Sequence, residues 1–177
     1  MHDSNPTREA RFTRLYEDHH ETVRRYVWRR DPGLTDDVVA ETFVVAWRRL
    51  DEVPDDAVAW LIGVARNVRR NARRSARRQE AVSVRLADAV PRIADAGGAR
   101  EPAALQAALR SLPRRDREVL LLAVWDGLDR TAIAAALGCS KANVSVRLHR
   151  ARRRFARALA AYHHDPSPSL TLAPRRR

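Results

Sequence analysis

Two arginine-rich stretches contain the residues of this chain whose types and spacing could carry chemistry. One is LGCSKANVSVRLHRARRRFARAL near the end, and the other is RNVRRNARRSARR in the first half. Arginine presents planar, two-pronged donors that fit phosphate oxygens and guanine edges. The formal net charge is +12, and Lys141 is the only lysine. This bias favours a nucleic-acid partner, although a GC-rich coding sequence would produce the same composition.

The later stretch has the pattern of a helix-turn-helix, in which a short helix, a glycine turn and a longer basic helix follow one another. Ser140 is a natural N-cap for the second helix. An apolar stripe of Val144, Leu148, Ala151 and Phe155 can dock that helix on its neighbours. The early turns of such a helix meet base edges and surrounding basic groups hold phosphates. Candidates for bases are Val146, His149 and Arg150, and candidates for the backbone are Lys141, Arg147 and Arg153.

The earlier stretch shows the same asymmetry. A helix starting near Ala57 has an apolar stripe, and its arginines lie broadly on the opposite side: Arg66, Arg70, Arg73, Arg74 and Arg77. By contrast, residues 31–56 are acidic. Two basic surfaces and one acidic surface suggest a chain that binds both a nucleic acid and a second protein. A solvated face on a helical bundle is the alternative for each of these surfaces.

The spacing of apolar residues predicts an all-α fold with two small helical domains. Residues 8–78 form a three- to four-helix bundle, in which DPG ends the first helix and Thr35 caps the second. Residues 79–102 contain a proline and a Gly-Gly pair and are predicted to be a linker, long enough to separate the two domains widely. Residues 103–162 form the helix-turn-helix domain. The last segment, 163–177, is proline- and serine-rich and is predicted to be a disordered tail.

Several classes of protein are excluded by what the sequence lacks. It has no signal-peptide core and no run of about eighteen apolar residues, so the cytoplasm is expected and membrane insertion is not. Its one cysteine, Cys139, excludes an internal disulfide and a cysteine-rich zinc site. The pairs His19-His20 and His163-His164 have no accompanying ligand set. We therefore expect no enzyme activity, small-molecule substrate, metal or cofactor.

Longer segments resemble a known family. LTDDVVAETFVVAWRRL is similar to the helix with which bacterial sigma factors bind the clamp helices of RNA polymerase, and AVAWLIGVARNVRRNARR to the run that follows it. The segment from LPRRDREVLLLAVWDG to SVRLHRARRRF resembles sigma region 4. With two such blocks and no middle domain, the chain resembles the extracytoplasmic-function (ECF) group of the sigma-70 family.

The resemblance implies roles for residues of the first block. Asp37, Glu41 and Phe43 match the polymerase-binding motif, in which Trp47 is included, and Ala40 stands where the family usually has glutamine. The loop of Asp51, Glu52, Val53, Pro54, Asp55 and Asp56 matches the segment that captures a flipped base of the minus-10 element. Behind that loop, the implied minus-10 contacts are Trp60, Arg66, Asn67, Arg70 and Arg74.

In the second block the resemblance implies minus-35 recognition by the basic helix. Asn143 and Ser145 then join the candidates already named on that helix. Ala132 occupies a usual glutamate position and Asn143 a usual threonine position, so the minus-35 preference of this chain is open. The implied partners are core polymerase through its β′ clamp helices and β flap, promoter DNA, and an anti-sigma factor.

Two other functions are compatible with parts of the pattern. A stand-alone helix-turn-helix regulator with an N-terminal dimerisation or sensing domain would bind a palindromic duplex without polymerase. A basic amphipathic protein could rest on an anionic membrane, but that function leaves Ser140 and the glycine turn unexplained. The favoured function is a sigma factor that directs core polymerase to promoters and promotes minus-10 melting.

Overall fold

The computed structural model describes residues 6–80 and 100–164, and it confirms the all-α fold. No strand occurs in these two ranges. The helices, with two short 3-10 turns at Pro32–Leu34 and Leu50–Glu52, are α1 (Pro6–Trp28), α2 (Thr35–Arg48), α3 (Ala57–Glu80), α4 (Arg100–Ser111), α5 (Arg114–Val124), α6 (Arg130–Leu137) and α7 (Lys141–His164).

Helices α1, α2 and α3 form the N-terminal half around one apolar core. Each contributes a stripe at helical spacing, so burying the three stripes against one another removes their apolar surface from water. The side chains that are almost fully buried here include Val23, Tyr26, Val27, Val38, Ala46, Leu50, Leu61 and Ile62. The solvent-facing sides of these helices hold most of the charged residues.

Helices α4 to α7 form the C-terminal half, with α4, α5 and α6 packed on α7. The turn before α7 contains the predicted glycine and the predicted N-cap residue. Gly138 ends α6 in the left-handed conformation with φ of 63°, which glycine adopts without a Cβ penalty. The Ser140 side chain accepts a hydrogen bond from the Asn143 backbone N–H at 3.2 Å. The predicted N-cap is therefore confirmed.

One prediction about local structure is wrong. Thr35 does not cap α2 but is its first residue, and Leu34 takes the cap position. The 3-10 turn Pro32–Leu34 directly precedes the helix and leaves Thr35 buried. Its hydroxyl donates to the backbone oxygens of Asp31 and Pro32 instead of accepting from a later N–H.

The two halves pack against each other, an arrangement that the sequence did not predict. Helix α3 lies along α6, and Gly63 is the closest point. A Cβ at Gly63 would lie 3.3 Å from the backbone oxygen of Ala136, so glycine permits this approach. Residues 81–99, which make up most of the predicted linker, and the tail beyond residue 164 lie outside the described ranges.

Candidate nucleic-acid and polymerase interfaces

Helix α7 buries the predicted packing stripe and leaves the candidate DNA-binding residues at least partly exposed. Val144, Leu148 and Ala151 are buried, and Phe155 is partly buried. On the other faces, Ser145 and Arg147 are partly exposed, and the remaining candidates are exposed: Lys141, Asn143, Val146, His149, Arg150 and Arg153. Val146 is 57% exposed, which is unusual for an apolar side chain and leaves it free to contact a thymine methyl group.

A buried carboxylate fixes α7 from beneath. Asp116, in the first turn of α5, accepts a hydrogen bond from Arg154 Nη1 at 2.6 Å. Only 6% of the Asp116 side chain is exposed. Arg154 is thus a positioning arginine within a run of binding candidates. This role of Asp116 was not predicted, because its only signal in the sequence is its position as a single acidic residue in the basic run LPRRDR.

The basic face of α3 is held by a second buried carboxylate. Asp31 accepts a hydrogen bond from Arg69 Nη1 at 2.8 Å and also pairs with Arg73. It lies three residues after the end of α1, and 8% of its side chain is exposed. Both arginines are held at Asp31, whereas Arg70 and Arg74 of α3 are exposed. This role of Asp31 was not predicted, since DPG indicates only a turn.

The minus-10 candidates on α3 fall into two groups. Asn67, Arg70 and Arg74 are exposed. Arg66 instead donates from Nε to Glu118 Oε1 of α5 at 2.6 Å, across the contact between the halves. This hydrogen bond raises the pKa of the Arg66 guanidinium above its usual range. Arg66 is therefore engaged by the other half of its own chain in this arrangement.

The loop over residues 51–56 is anchored by arginines of α1. Val53 is buried, and its backbone oxygen accepts from Arg11 Nη2 at 2.7 Å. Arg8 donates to Asp51 at 3.1 Å. Glu52 pairs with Arg49, and this hydrogen bond lowers the pKa of the Glu52 carboxyl. The other loop residues are exposed: Pro54, Asp55 and Asp56.

Trp60 lies behind this loop and is partly buried. The guanidinium carbon of Arg49 lies over its ring, 5.7 Å from the ring centroid. The indole thus remains partly exposed beside a loop that arginines of α1 anchor. This geometry is suited to stacking a single base, because aromatic faces stack bases of any type.

Helix α2 presents an acidic surface whose members differ in exposure. Asp37, Ala40 and Glu41 are exposed, whereas Phe43 is buried and Trp47 partly buried. Phe43 packs edge-on against Tyr16, with ring centroids 4.8 Å apart, and Trp47 packs edge-on against Phe12 at 5.2 Å. These two aromatic residues pack α2 against α1, and the acidic residues of α2 face solvent.

Asp37 and Glu41 lie at a groove of about 570 Å³ between α2 and α3. Its other lining residues combine an apolar floor with amide and basic groups: Val38, Val45, Arg49, Val64, Asn67, Val68, Asn71 and Ala72. An apolar floor beside carboxylates suits a partner helix that carries both apolar and basic side chains.

A buried ion pair joins the two halves and was not predicted. Arg30 Nη2 lies 2.6 Å from Asp126 Oδ2, and 5% of each side chain is exposed. Arg29 donates to the backbone oxygen of Trp125 at 2.7 Å. The Arg30 guanidinium also lies over the Tyr26 ring, 4.0 Å from its centroid. Burial raises the pKa of the Tyr26 hydroxyl, which has no hydrogen-bond partner among the residues that the structure describes.

Comparison with protein families decides the identity of these two halves. Sigma-70 region 2 matches residues 15–79, and Sigma-70 region 4 matches residues 103–155. A curated relative, the ECF RNA polymerase sigma factor SigL of Mycobacterium tuberculosis, is 32% identical over 147 residues, which are 78% of this chain and 83% of SigL. The chain belongs to the sigma-70 family. It is a sigma factor of the ECF group, and it directs RNA polymerase to promoters.

Other relatives agree with this family. The probable RNA polymerase sigma factor RfaY of Xanthomonas campestris pv. campestris is 37% identical over 134 residues. That match covers 70% of this chain but spans only 33% of the length of RfaY. The ECF sigma factor BldN of Streptomyces coelicolor is 32% identical over 158 residues, covering 84% of this chain and 60% of BldN.

Solved structures have the same fold as this sigma factor. Sigma factor RpoE of Bartonella quintana, in complex with the anti-sigma factor NepR, aligns with a TM-score of 0.66 and 23% identity over 84% of this chain and 96% of RpoE. CnrH, in complex with the cytosolic domain of CnrY, aligns with a TM-score of 0.58 and 27% identity over 85% of this chain and 88% of CnrH.

The described ranges contain neither a metal-binding cluster nor a membrane-spanning helix. Within the described ranges, no group of three or more histidine, cysteine or acidic side chains is arranged to hold a metal ion. None of the helices in those ranges is both long and apolar enough to span a bilayer.

Proposed function

We propose that the acidic groove of α2 and α3 is the surface of this sigma factor that binds the β′ clamp helices of core polymerase. The observation that carries this proposal is the outward position of Asp37 and Glu41 beside an apolar floor. Phe43 and Trp47 act indirectly, since they hold α2 against α1. Ala40 leaves a gap in the polar rim where the family usually has glutamine.

Promoter DNA is proposed to bind two separate surfaces. Helix α7 reads the minus-35 element with its exposed face, and its capped start supports contact by the first turns. The loop 51–56 and Trp60 hold an extruded minus-10 base, while Asn67, Arg70 and Arg74 contact the nearby phosphates. Extrusion costs a few kcal/mol of unstacking per base, and binding of the flipped base offsets part of this free energy.

The two surfaces cannot contact one promoter at the same time while the halves remain packed. The minus-10 and minus-35 positions are about 25 base pairs apart, or roughly 85 Å at 3.4 Å per base pair. Because α3 lies directly along α6, the two DNA-binding helices are too close to span that distance. Promoter binding therefore requires the halves to separate, which breaks the Arg30–Asp126 and Arg66–Glu118 pairs and frees Arg66 for DNA.

Further partners are proposed by similarity. RpoE and CnrH were each solved with a bound protein, NepR and the cytosolic domain of CnrY. We infer that an anti-sigma factor binds this chain as well, and that region 4 contacts the β flap. This sigma factor acts in the cytoplasm, where polymerase is found. It binds core polymerase and promoter DNA and promotes DNA melting, and it catalyses no reaction of its own.

The experiment that tests this function is run-off transcription. Purified chain and core polymerase, incubated with a genomic DNA library, are expected to give discrete transcripts that neither component gives alone. Specific binding to a palindromic duplex without polymerase, together with no transcript from the reconstituted enzyme, would support a stand-alone regulator instead. No observation in the structure favours that regulator.

A further inference from the structure

A second cleft lies between α3 and the start of α5, and it shares Arg66, Arg70 and Arg74 with the proposed minus-10 surface. Its volume is about 450 Å³, within the range of small-molecule sites. Seven of its lining residues are arginines and one is a carboxylate: Arg66, Arg69, Arg70, Arg73, Arg74, Arg114, Arg115 and Glu118. The two halves of the chain thus bring arginines to one concave surface.

Carboxylates compensate only part of this charge. Arg66 is bound by Glu118, and Arg69 by Asp31. Arg70 and Arg74 of α3 and Arg115 of α5 form no ion pair within residues 6–80 and 100–164. Like charges that face each other across an interface repel, so this packing of the halves is unfavourable at the cleft unless an anion enters.

We propose that this cleft binds a compound with several linked phosphates, either a free polyphosphate or the phosphate chain of a nucleotide. Guanidinium groups donate in pairs to phosphate oxygens, and three uncompensated arginines match a chain with several negative charges. The volume of the cleft admits a short phosphate chain and excludes a DNA duplex.

The proposed ligand would also regulate the protein. It contacts α3 and α5 together, so it binds the packed arrangement more tightly than a separated one and stabilises it by linkage. Because Arg70 and Arg74 are also proposed minus-10 contacts, the ligand and promoter DNA exclude each other. This consequence rests on the proposed function, whereas anion binding itself does not.

Isothermal titration calorimetry with the full chain tests the site. Inorganic tripolyphosphate is the first probe and a nucleoside triphosphate the second, both at an ionic strength held constant with sodium chloride. We expect one saturable site, and Arg115→Ala is expected to weaken tripolyphosphate binding by about tenfold. Equal affinities for the two probes would assign the site to the phosphate chain alone, and tighter nucleotide binding would add a contact to the base or sugar.

Arg130→Ala is the matched control, because Arg130 is also an exposed arginine in the first turn of a helix in the C-terminal half but lies outside the cleft. The affinity of the Arg130→Ala variant for tripolyphosphate should stay within about twofold of that of the natural chain. An equal loss in both variants, or no saturable binding, would overturn the proposal, since either result means that only diffuse charge attracts the anion.

A separate variant tests whether anion binding is coupled to the packed arrangement of the two halves. Asp126→Ala removes the buried pair between the halves without touching the cleft, and it is expected to weaken tripolyphosphate binding by about tenfold with an unchanged helical circular-dichroism signal. Unchanged affinity would refute the coupling. Run-off transcription by Arg115→Ala without added anion should equal that of the natural chain, so a failed anion site and a failed sigma function give different results.

Discussion

At the scale of single residues, the arginines of this chain have three different roles that their shared type conceals. Arg154 holds α7 on Asp116, Arg30 joins the two halves through Asp126, and Arg150 projects into solvent from α7. The exposed faces were predictable from helical periodicity. The buried partners were not, because Arg30 and Asp126 are 96 positions apart and no local pattern brings them together.

The difference between Arg150 and Arg153 provides a test of base reading. If Arg150 contacts a base edge, Arg150→Ala should weaken binding to the preferred minus-35 duplex by about 1–3 kcal/mol and relax the choice at one base pair. Arg153→Ala is the control for a phosphate contact. It should weaken binding to all sequences nearly equally and reduce the slope of log affinity against log salt concentration by about one unit. The measurement is a salt titration of each variant against a randomised duplex set. Unchanged affinity and base preference in Arg150→Ala would show that Arg150 does not read the minus-35 element.

At the scale of helices, local rules account for most of what the sequence predicted. Periodicity of 3.6 residues located the helices, and the chemistry of Gly138 and Ser140 located the turn before α7. Thr35 shows where local rules fail, because the DPG turn continues into a 3-10 turn that displaces the cap by one residue. The apolar spacing of α2 agrees with the burial of Phe43, a candidate for polymerase contact, among aromatic rings.

The Asp116–Arg154 pair supports the position of α7 in addition to its buried apolar stripe, and a double-mutant cycle can test this pair. Asp116→Ala and Arg154→Ala should each lower the free energy of unfolding by about 1 kcal/mol, because the Arg154 side chain is 49% exposed and partly hydrated. Their coupling, measured by urea denaturation, should be on the order of 0.5–1 kcal/mol. Arg152→Ala, an exposed neighbour on α7, is the control and should have little effect. Strictly additive losses would mean that Asp116 does not position α7 through Arg154.

The boundary between the halves remains a prediction from composition, and proteolysis tests it. Residues 79–102 contain a proline and a Gly-Gly pair and few helix-forming signals. Limited digestion of the free protein with a nonspecific protease should therefore cut first in that range or after residue 163. Mass spectrometry identifies the first fragments. An initial cleavage within residues 8–78 would contradict this boundary.

At the scale of the whole molecule, the packed arrangement of the halves is the feature that sequence reasoning missed entirely. The interface depends on the close approach at Gly63, the buried Arg30–Asp126 pair and the Arg66–Glu118 pair. Each joins residues of one half to residues of the other, and periodicity within a helix contains no information about such pairs. The consequence is that the proposed DNA-binding surface of α3 is partly engaged, through Arg66, before any promoter is present.

Removal of the buried pair should separate the halves. Loss of one partner of a buried ion pair costs about 3–5 kcal/mol if the other partner stays buried, and separation lets Arg30 regain water. Asp126→Ala is therefore expected to increase the radius of gyration by several Å from the roughly 16 Å of a compact chain of this length, measured by small-angle X-ray scattering. Asp18→Ala, which changes an exposed carboxylate of α1, should leave the radius unchanged. The same radius for both variants would show that Asp126 does not hold the halves together.

The central claim is that this chain is a sigma factor whose acidic groove on α2 binds core polymerase. The most direct test is the affinity of core polymerase for the double variant Asp37→Arg and Glu41→Arg, compared with Glu17→Arg and Asp18→Arg on the exposed side of α1. We expect the first variant to lose core binding with an unchanged helical circular-dichroism signal, because reversed charges repel the basic partner. The control variant should bind as the natural chain does. Undiminished core binding by the α2 variant would contradict the claim.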